Sequence, residues 1–215
     1  MERLQALKND QMLRACVRSI RSALHFLAPY FGYQLEGWSR AAQRKIWIEF
    51  FETLNHERMD CAEISPESVS WIKEIGWGTY TPLQYPDFDI CEGPTDKQFD
   101  IVIANQVWEH LQFPYKAGTN AYAMLKDGGW FAVATPFLLR IHPMPGDYTR
   151  WTPAGLRQFL IEVGFDDAKI SVDSWGNRQV AKASLKAGHW PKIGWRRAMN
   201  NEWDVPVTVW AFAQK

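Results

Sequence analysis

Two hydrophobic periods divide this chain. Over residues 4–27, Leu13, Cys16, Val17, Ile20 and Leu24 recur at three- and four-residue spacing beside Arg14, Arg18 and Arg21, which predicts an amphipathic helix. Pro29 and Gly32 interrupt it, and a second helix is expected over 39–54 with Ser39 as its N-cap. From residue 59 short apolar runs take over. Strands are expected over 59–65, 79–84, 99–105, 130–135, 169–174 and 205–213; the run over 99–105 is apolar enough for burial on both faces. Helices are expected between them over 67–75, 117–125 and 152–164, the last opened by Thr152 as N-cap and Pro153 at the first helical position. Alternating strands and helices predict an α/β domain over 46–215 with a doubly wound, mostly parallel sheet, preceded by a helical arm or lid over 1–45.

Composition narrows the function classes. The chain has 215 residues with 24 Lys and Arg against 24 Asp and Glu, so it lacks the basic excess of a dedicated nucleic-acid or anionic-membrane binder. That balance sums unlike parts: residues 59–112 carry 2 basic and 10 acidic side chains, while both flanks are basic. Cys16, Cys61 and Cys91 form no CxxC and no disulfide framework, so a reducing cytoplasm is the expected setting. No apolar run is long enough to span a membrane. No His, Asp or Glu cluster has a metal-ligand spacing, so no metal is expected.

The aromatic content is the unusual quantity, with 12 Trp, 12 Phe and 7 Tyr. Trp130 and Trp210 fall in expected strands. Trp38, Trp108, Trp151, Trp175, Trp190, Trp195 and Trp203 fall at element ends or between elements, where they would either complete the core or line a pocket. Lys182, Lys186, Lys192, Arg196 and Arg197, interleaved with Trp190 and Trp195, read as a solvated or partner-facing lid, or a site for an anion, ahead of a nucleic-acid patch.

Ligands of doubly wound sheets lie beyond the carboxyl ends of the strands. At those ends stand Glu63-Ile-Ser-Pro-Glu67, Gln84-Tyr-Pro-Asp-Phe-Asp89, Asn105-Gln-Val-Trp-Glu-His110 and the stretch from Pro136 to Arg150. With Phe99-Asp-Ile-Val, Glu109-His110, Leu125-Lys-Asp-Gly-Gly-Trp130, His142-Pro-Met-Pro-Gly-Asp-Tyr-Thr-Arg-Trp-Thr152 and Gly155-Leu156, the chain resembles the class I S-adenosylmethionine-dependent methyltransferases of the compact small-molecule type. The resemblance covers about residues 45–215.

It implies a Rossmann-like fold with an antiparallel C-terminal strand. The implied reaction moves a methyl group from S-adenosylmethionine to an oxygen or nitrogen of a small molecule, such as a sugar or natural-product intermediate, leaving S-adenosylhomocysteine. Carried over by motif, Glu63, Ile64, Ser65, Gln84, Tyr85, Asp89, Asn105, Gln106 and Val107 would hold the cofactor, with Glu63 facing its ammonium group. His142 would be the base that takes the acceptor's proton, oriented by Asp147, with His110 the second choice. Tyr148, Arg150 and Trp151 would contact the acceptor. A structural reading stays open beside this, in which Asp147 and Arg150 pair to hold the loop and His110 caps a turn. Two positions depart from the family pattern: Ser65 and Glu67 stand where small residues form a glycine turn, and Gln84 stands where an acid holds the ribose. These departures motivate an alternative, a catalytically silent partner subunit; an RNA methyltransferase is a third reading. The helix over 4–27 would serve as a homodimer interface, and no membrane or nucleic-acid partner is expected.

Overall fold

The structure, a computed structural model, describes residues 34–67, 70–142, 145–186, 192–193 and 200–215. The helix expected over 4–27, and the homodimer interface assigned to it, lie outside them, as do Trp190, Trp195, Arg196 and Arg197.

Six strands form one sheet. In chain order they are β2 (Asp60–Ile64), β3 (Thr79–Leu83), β4 (Phe99–Asn105), β5 (Leu125–Pro136), β6 (Ile170–Trp175) and β8 (Thr208–Gln214), arranged β3-β2-β4-β5-β8-β6. β2, β3, β4 and β5 are parallel, and β8 runs antiparallel between β5 and β6. This is the Rossmann-like order with its reversed C-terminal strand. A separate two-stranded pair, β1 (Gln34–Gly37) with β7 (Lys192–Ile193), was not foreseen from the sequence.

Both faces of the sheet are covered, which is why its strands are apolar in both registers. Ala62, Ile64, Val102, Ala104, Phe131 and Val133 point to one side, where α2 (Pro114–Ala123) and α3 (Pro153–Glu162) pack through Ala117, Ala121, Leu156, Phe159 and Leu160. Cys61, Ile101, Ile103, Ala132, Ala134, Trp210 and Phe212 point to the other, against Trp47 and Phe51 of α1 (Trp38–Thr53) and Val180 of α4 (Arg178–Lys186). Gly118 marks the tightest helix contact: a Cβ there would stand 2.7 Å from Phe159 and 2.8 Å from Val163. Among the described residues, part of the Trp excess is core: Trp47, Trp108 and Trp210 are fully buried, and Trp77 and Trp175 nearly so.

Several elements differ from expectation. α1 starts from Gly37 without a side-chain cap, and Ser39 is buried instead of capping. In place of a helix over 67–75, the described part has only the turn Lys73–Ile75, because Ile72 is drawn into the core and Ser70 is held by Glu63. β5 begins at Leu125, ahead of the expected 130, its Gly128-Gly129 segment absorbed as a register shift against β4. Thr152 caps α3 as read, its hydroxyl accepting from the Gly155 N–H at 3.0 Å.

At the amino end of the sheet, the Asp60 and Asp100 carboxylates share Lys126 at 3.0 and 2.9 Å, and Thr79 donates to Asp60. These bonds hold the Asp60 carboxyl down at about 2, Thr79 and Lys126 being the main causes. No described helix is long and apolar enough to cross a membrane.

Candidate active site

The carboxyl ends of β2, β3 and β4 open into a cavity of about 620 Å³, within the ordinary range for small-molecule and cofactor sites. Ser65, Gln84, Tyr85, Asp89, Gln106 and Val107 line it, all of them residues assigned to the cofactor from sequence. Phe88, Phe113 and Tyr148 add aromatic faces, and Asp89 and Glu92 add carboxylates. Such a lining favours a ligand with a flat ring and a positive charge.

Two backbone kinks make the space. Ser65 follows β2 with φ 45° and Gln106 follows β4 with φ 61°. Both lie in the left-handed region that side chains beyond glycine seldom adopt. Ser65 therefore takes the conformation a glycine turn would supply, pinned by its N–H to the Leu83 carbonyl at 2.8 Å. Gln106 is pinned by its N–H to the Ala134 carbonyl at 2.9 Å. The cavity fits a nucleoside-sized cofactor despite the substituted turn.

Other assigned residues sit elsewhere. Ile64 is core. Glu63 is buried on the α1 side of the sheet and absent from the lining of this cavity; Ser70 Oγ donates to its oxygens at 2.9 and 2.7 Å and Tyr80 Oη at 2.6 Å. Burial raises its pKa against those bonds. The bond to Tyr80 ties β2 to β3. Asn105 faces a second cavity of about 460 Å³ together with Arg40, Gln43 and Arg44 of α1, and accepts from Gln43 Nε2 at 2.8 Å. These α1 residues fall outside the family motifs, and the sequence offers no signal for them.

The turn Trp108–His110 after β4 buries Trp108 against Phe131 and Phe159. That anchoring carries Glu109 fully into the interior, where burial pushes its carboxyl up to about 8. His110 lines the cavity and its Nδ1 donates to the Gly146 carbonyl. His142 arrives from the loop after β5, its ring edge-on to His110 with centroids 4.8 Å apart. Burial and the neighbouring His110 both lower the His142 pKa. Glu109 Oε1 stands 3.8 Å from His110 Nε2 and 4.0 Å from His142 Nε2. Glu109, half of the E-H motif, had been given no role from sequence.

Asp147 does not orient the His142 imidazole. Its carboxylate accepts from the His142 backbone N–H at 3.0 Å and from both terminal nitrogens of Arg150, so it holds the loop. Arg150 is engaged in that pair. Trp151 packs on Phe159 at 5.0 Å, on the core side, whereas Tyr148 remains at the cavity.

The family model described as a methyltransferase domain matches residues 18–168. A search of curated proteins found no match. Among solved structures, an S-adenosylmethionine-dependent methyltransferase from Mesorhizobium loti is 13% identical, covers 79% of this chain and 97% of its own, and has a TM-score of 0.55. A putative methyltransferase of Haloferax volcanii, solved with the Trm112 methyltransferase activator, is 16% identical, covers 81% and 92%, and scores 0.53. The complex of DhpI with SAM and HEP is 12% identical, covers 93% and 97%, and scores 0.52. With the sheet order, the cavity at its carboxyl edge and the match over residues 18–168 in agreement, this chain belongs to the class I S-adenosylmethionine-dependent methyltransferases.

Proposed function

We propose that the chain methylates an oxygen or nitrogen of a small molecule. The observation that carries this reading is one cavity lined both by Gln84, Tyr85 and Asp89, which were assigned to the cofactor, and by His110 and Tyr148, assigned to base and acceptor. When bound, S-adenosylmethionine supplies a methyl group activated by a cationic sulfur. Gln84 and Asp89 would hold its polar edge, Tyr85 and Phe88 its ring. Gln106 and Val107 would set its depth. Transfer requires in-line approach in a site that excludes water, so positioning supplies most of the rate. The acceptor's proton is assigned to the cluster of Glu109, His110 and His142, with Tyr148 and the Asp147–Arg150 pair shaping the wall beside it.

The open turn at Ser65 supports an enzyme over a silent partner subunit, since the left-handed conformation keeps the cavity clear. The buried free thiols of Cys61 and Cys91 suit a reducing cytoplasm. A melting scan with S-adenosylmethionine and S-adenosylhomocysteine tests the reading. Ligand at 100 times its dissociation constant should stabilise the chain by about 2.7 kcal/mol. No shift with either at millimolar concentration overturns it.

A further inference from the structure

We infer that Glu109, His110 and His142 form a binding site for one divalent transition-metal ion at the acceptor end of the cavity. Three lone-pair atoms meet there, all within 4.8 Å of one another. Glu109 and His142 lack hydrogen-bond partners there. His110 gives its Nδ1 proton to the Gly146 carbonyl, which leaves the Nε2 lone pair facing Glu109. This backbone-anchored tautomer is the one metal-bound imidazoles adopt. Both oxygens of the fully buried Glu109, and the buried Nε2 of His142, have no hydrogen-bond partner. At 3.8 and 4.0 Å the nitrogens are too far from Oε1 to hydrogen-bond to it.

A fully buried carboxyl group whose two oxygens have no hydrogen-bond partner is costly, and a cation at the centre of the three ligand atoms would satisfy it. Arg150, the cation in the same loop, is occupied by Asp147. Ligand atoms about 2.1 Å from a metal stand roughly 3 to 3.5 Å apart, so the two Glu109–imidazole pairs close by about 1 Å or less and a pair as wide as 4.8 Å by roughly 1.3 to 1.8 Å to complete the set. Two imidazoles and one carboxylate suit manganese, iron, cobalt or zinc ahead of magnesium or calcium. His110 borders the cavity, so the remaining coordination positions open towards the acceptor.

The site itself does not depend on the methyl-transfer reading; its use rests on that reading. With the ion bound, the three side chains would serve as its ligands in place of acting as the base, and an acceptor hydroxyl bound to the ion would lose its proton to water near neutral pH. Its oxygen would then bond to the methyl carbon while the sulfur–methyl electron pair returns to sulfur. The acceptor class is accordingly a hydroxyl compound able to ligate a metal.

Metal-stripped protein titrated with Mn²⁺, followed by the spin-resonance signal of the free ion, tests the site. Co²⁺ loading followed by visible absorption gives a second readout. One Mn²⁺ per chain is expected, with affinity at least tenfold weaker in Glu109→Gln and His142→Asn and the Co²⁺ bands lost in His142→Asn. S-adenosylhomocysteine binding is measured on the same samples. Should Glu109→Gln fail to fold, His110→Asn replaces it. Absence of Mn²⁺, Co²⁺ and Zn²⁺ binding by folded wild type that still binds S-adenosylhomocysteine overturns the site. So does Mn²⁺ affinity unchanged in the variants. Metal binding with the expected losses but no S-adenosylhomocysteine binding supports the site and removes the methyl-transfer reading.

Discussion

The Tyr148 backbone N–H donates to the Glu109 carbonyl at 2.7 Å. Beside it, Thr149 Oγ1 donates to the Trp108 carbonyl at 3.2 Å and His110 reaches the Gly146 carbonyl. The far part of the loop after β5, residues 146–149, is therefore bonded to the turn after β4. Residues thirty or more positions apart share one wall, and disturbing either segment moves both histidines.

His142→Ala should lower methyl-transfer turnover by roughly hundredfold, the lower range of what a proton-handling group contributes. S-adenosylhomocysteine affinity should stay within a few-fold, since Gln84 and Asp89 line the cavity and His142 is not among its lining residues. Parallel calorimetry and steady-state kinetics check both. A large loss of cofactor affinity with normal turnover at saturation would misplace the residue.

Asp147→Ala removes the partner of a guanidinium and of the His142 N–H at once. A destabilisation of about 2 kcal/mol is expected, because the Asp147 side chain is only 5% exposed and its bonds are charge-assisted. Urea unfolding measures it. A positioning role further predicts that Asp147→Asn, which keeps an acceptor for the N–H, recovers part of both stability and turnover.

Ser65→Gly should stabilise the chain by about 1 kcal/mol, a rise in Tm of about 2 to 4 °C, by relieving a side chain held at positive φ. Cofactor affinity should be equal or better. A drop in Tm would mean the Ser65 hydroxyl makes a contribution larger than the conformational cost.

Gly118→Ala should cost about 1 to 3 kcal/mol, since the new Cβ lands inside contact distance of Phe159 and Val163. S-adenosylhomocysteine binding at saturating ligand should survive, because α2 and α3 pack behind the sheet. Chemical denaturation alongside a binding titration separates the two effects.

Asp60 sets an acid limit. Its folded pKa of about 2 lies below the ordinary value of 3.8, so its contribution is present above about pH 4 and lost as pH falls towards 2. Asp60→Asn should flatten that part of the stability–pH profile. An unchanged slope would show that other carboxylates govern acid unfolding.

The sheet was legible because its strands are short apolar runs with turn residues between them. Phe99–Asn105 is the clearest, with Ile101 and Ile103 committed to one covered face and Val102 and Ala104 to the other. The segment over 67–75 misled because its residues are spent on tertiary contacts, Ile72 on the core and Ser70 on Glu63. The bonds of Glu63 are not legible from its motif position. Its partner Tyr80 lies on the adjacent strand, 17 residues on, and only strand register brings the two together. The cavity residues around Gln84, Asp89 and Gln106 were legible, because strand ends in this fold face the ligand. The Glu109–His110–His142 cluster was not, since no local spacing announces it and it exists only when the loop after β5 folds back.

β8 lies between β5 and β6, yet it is the last of the described strands to leave the ribosome. During translation β2 to β5 can pair in turn as they emerge, but β6 has no neighbour in the sheet until residues 208–214 arrive. Until then the nascent chain shows an unpaired, apolar β5 edge to solvent, the kind of edge on which chains aggregate. A chain stalled ahead of residue 208 should therefore need chaperone protection that the finished chain does not.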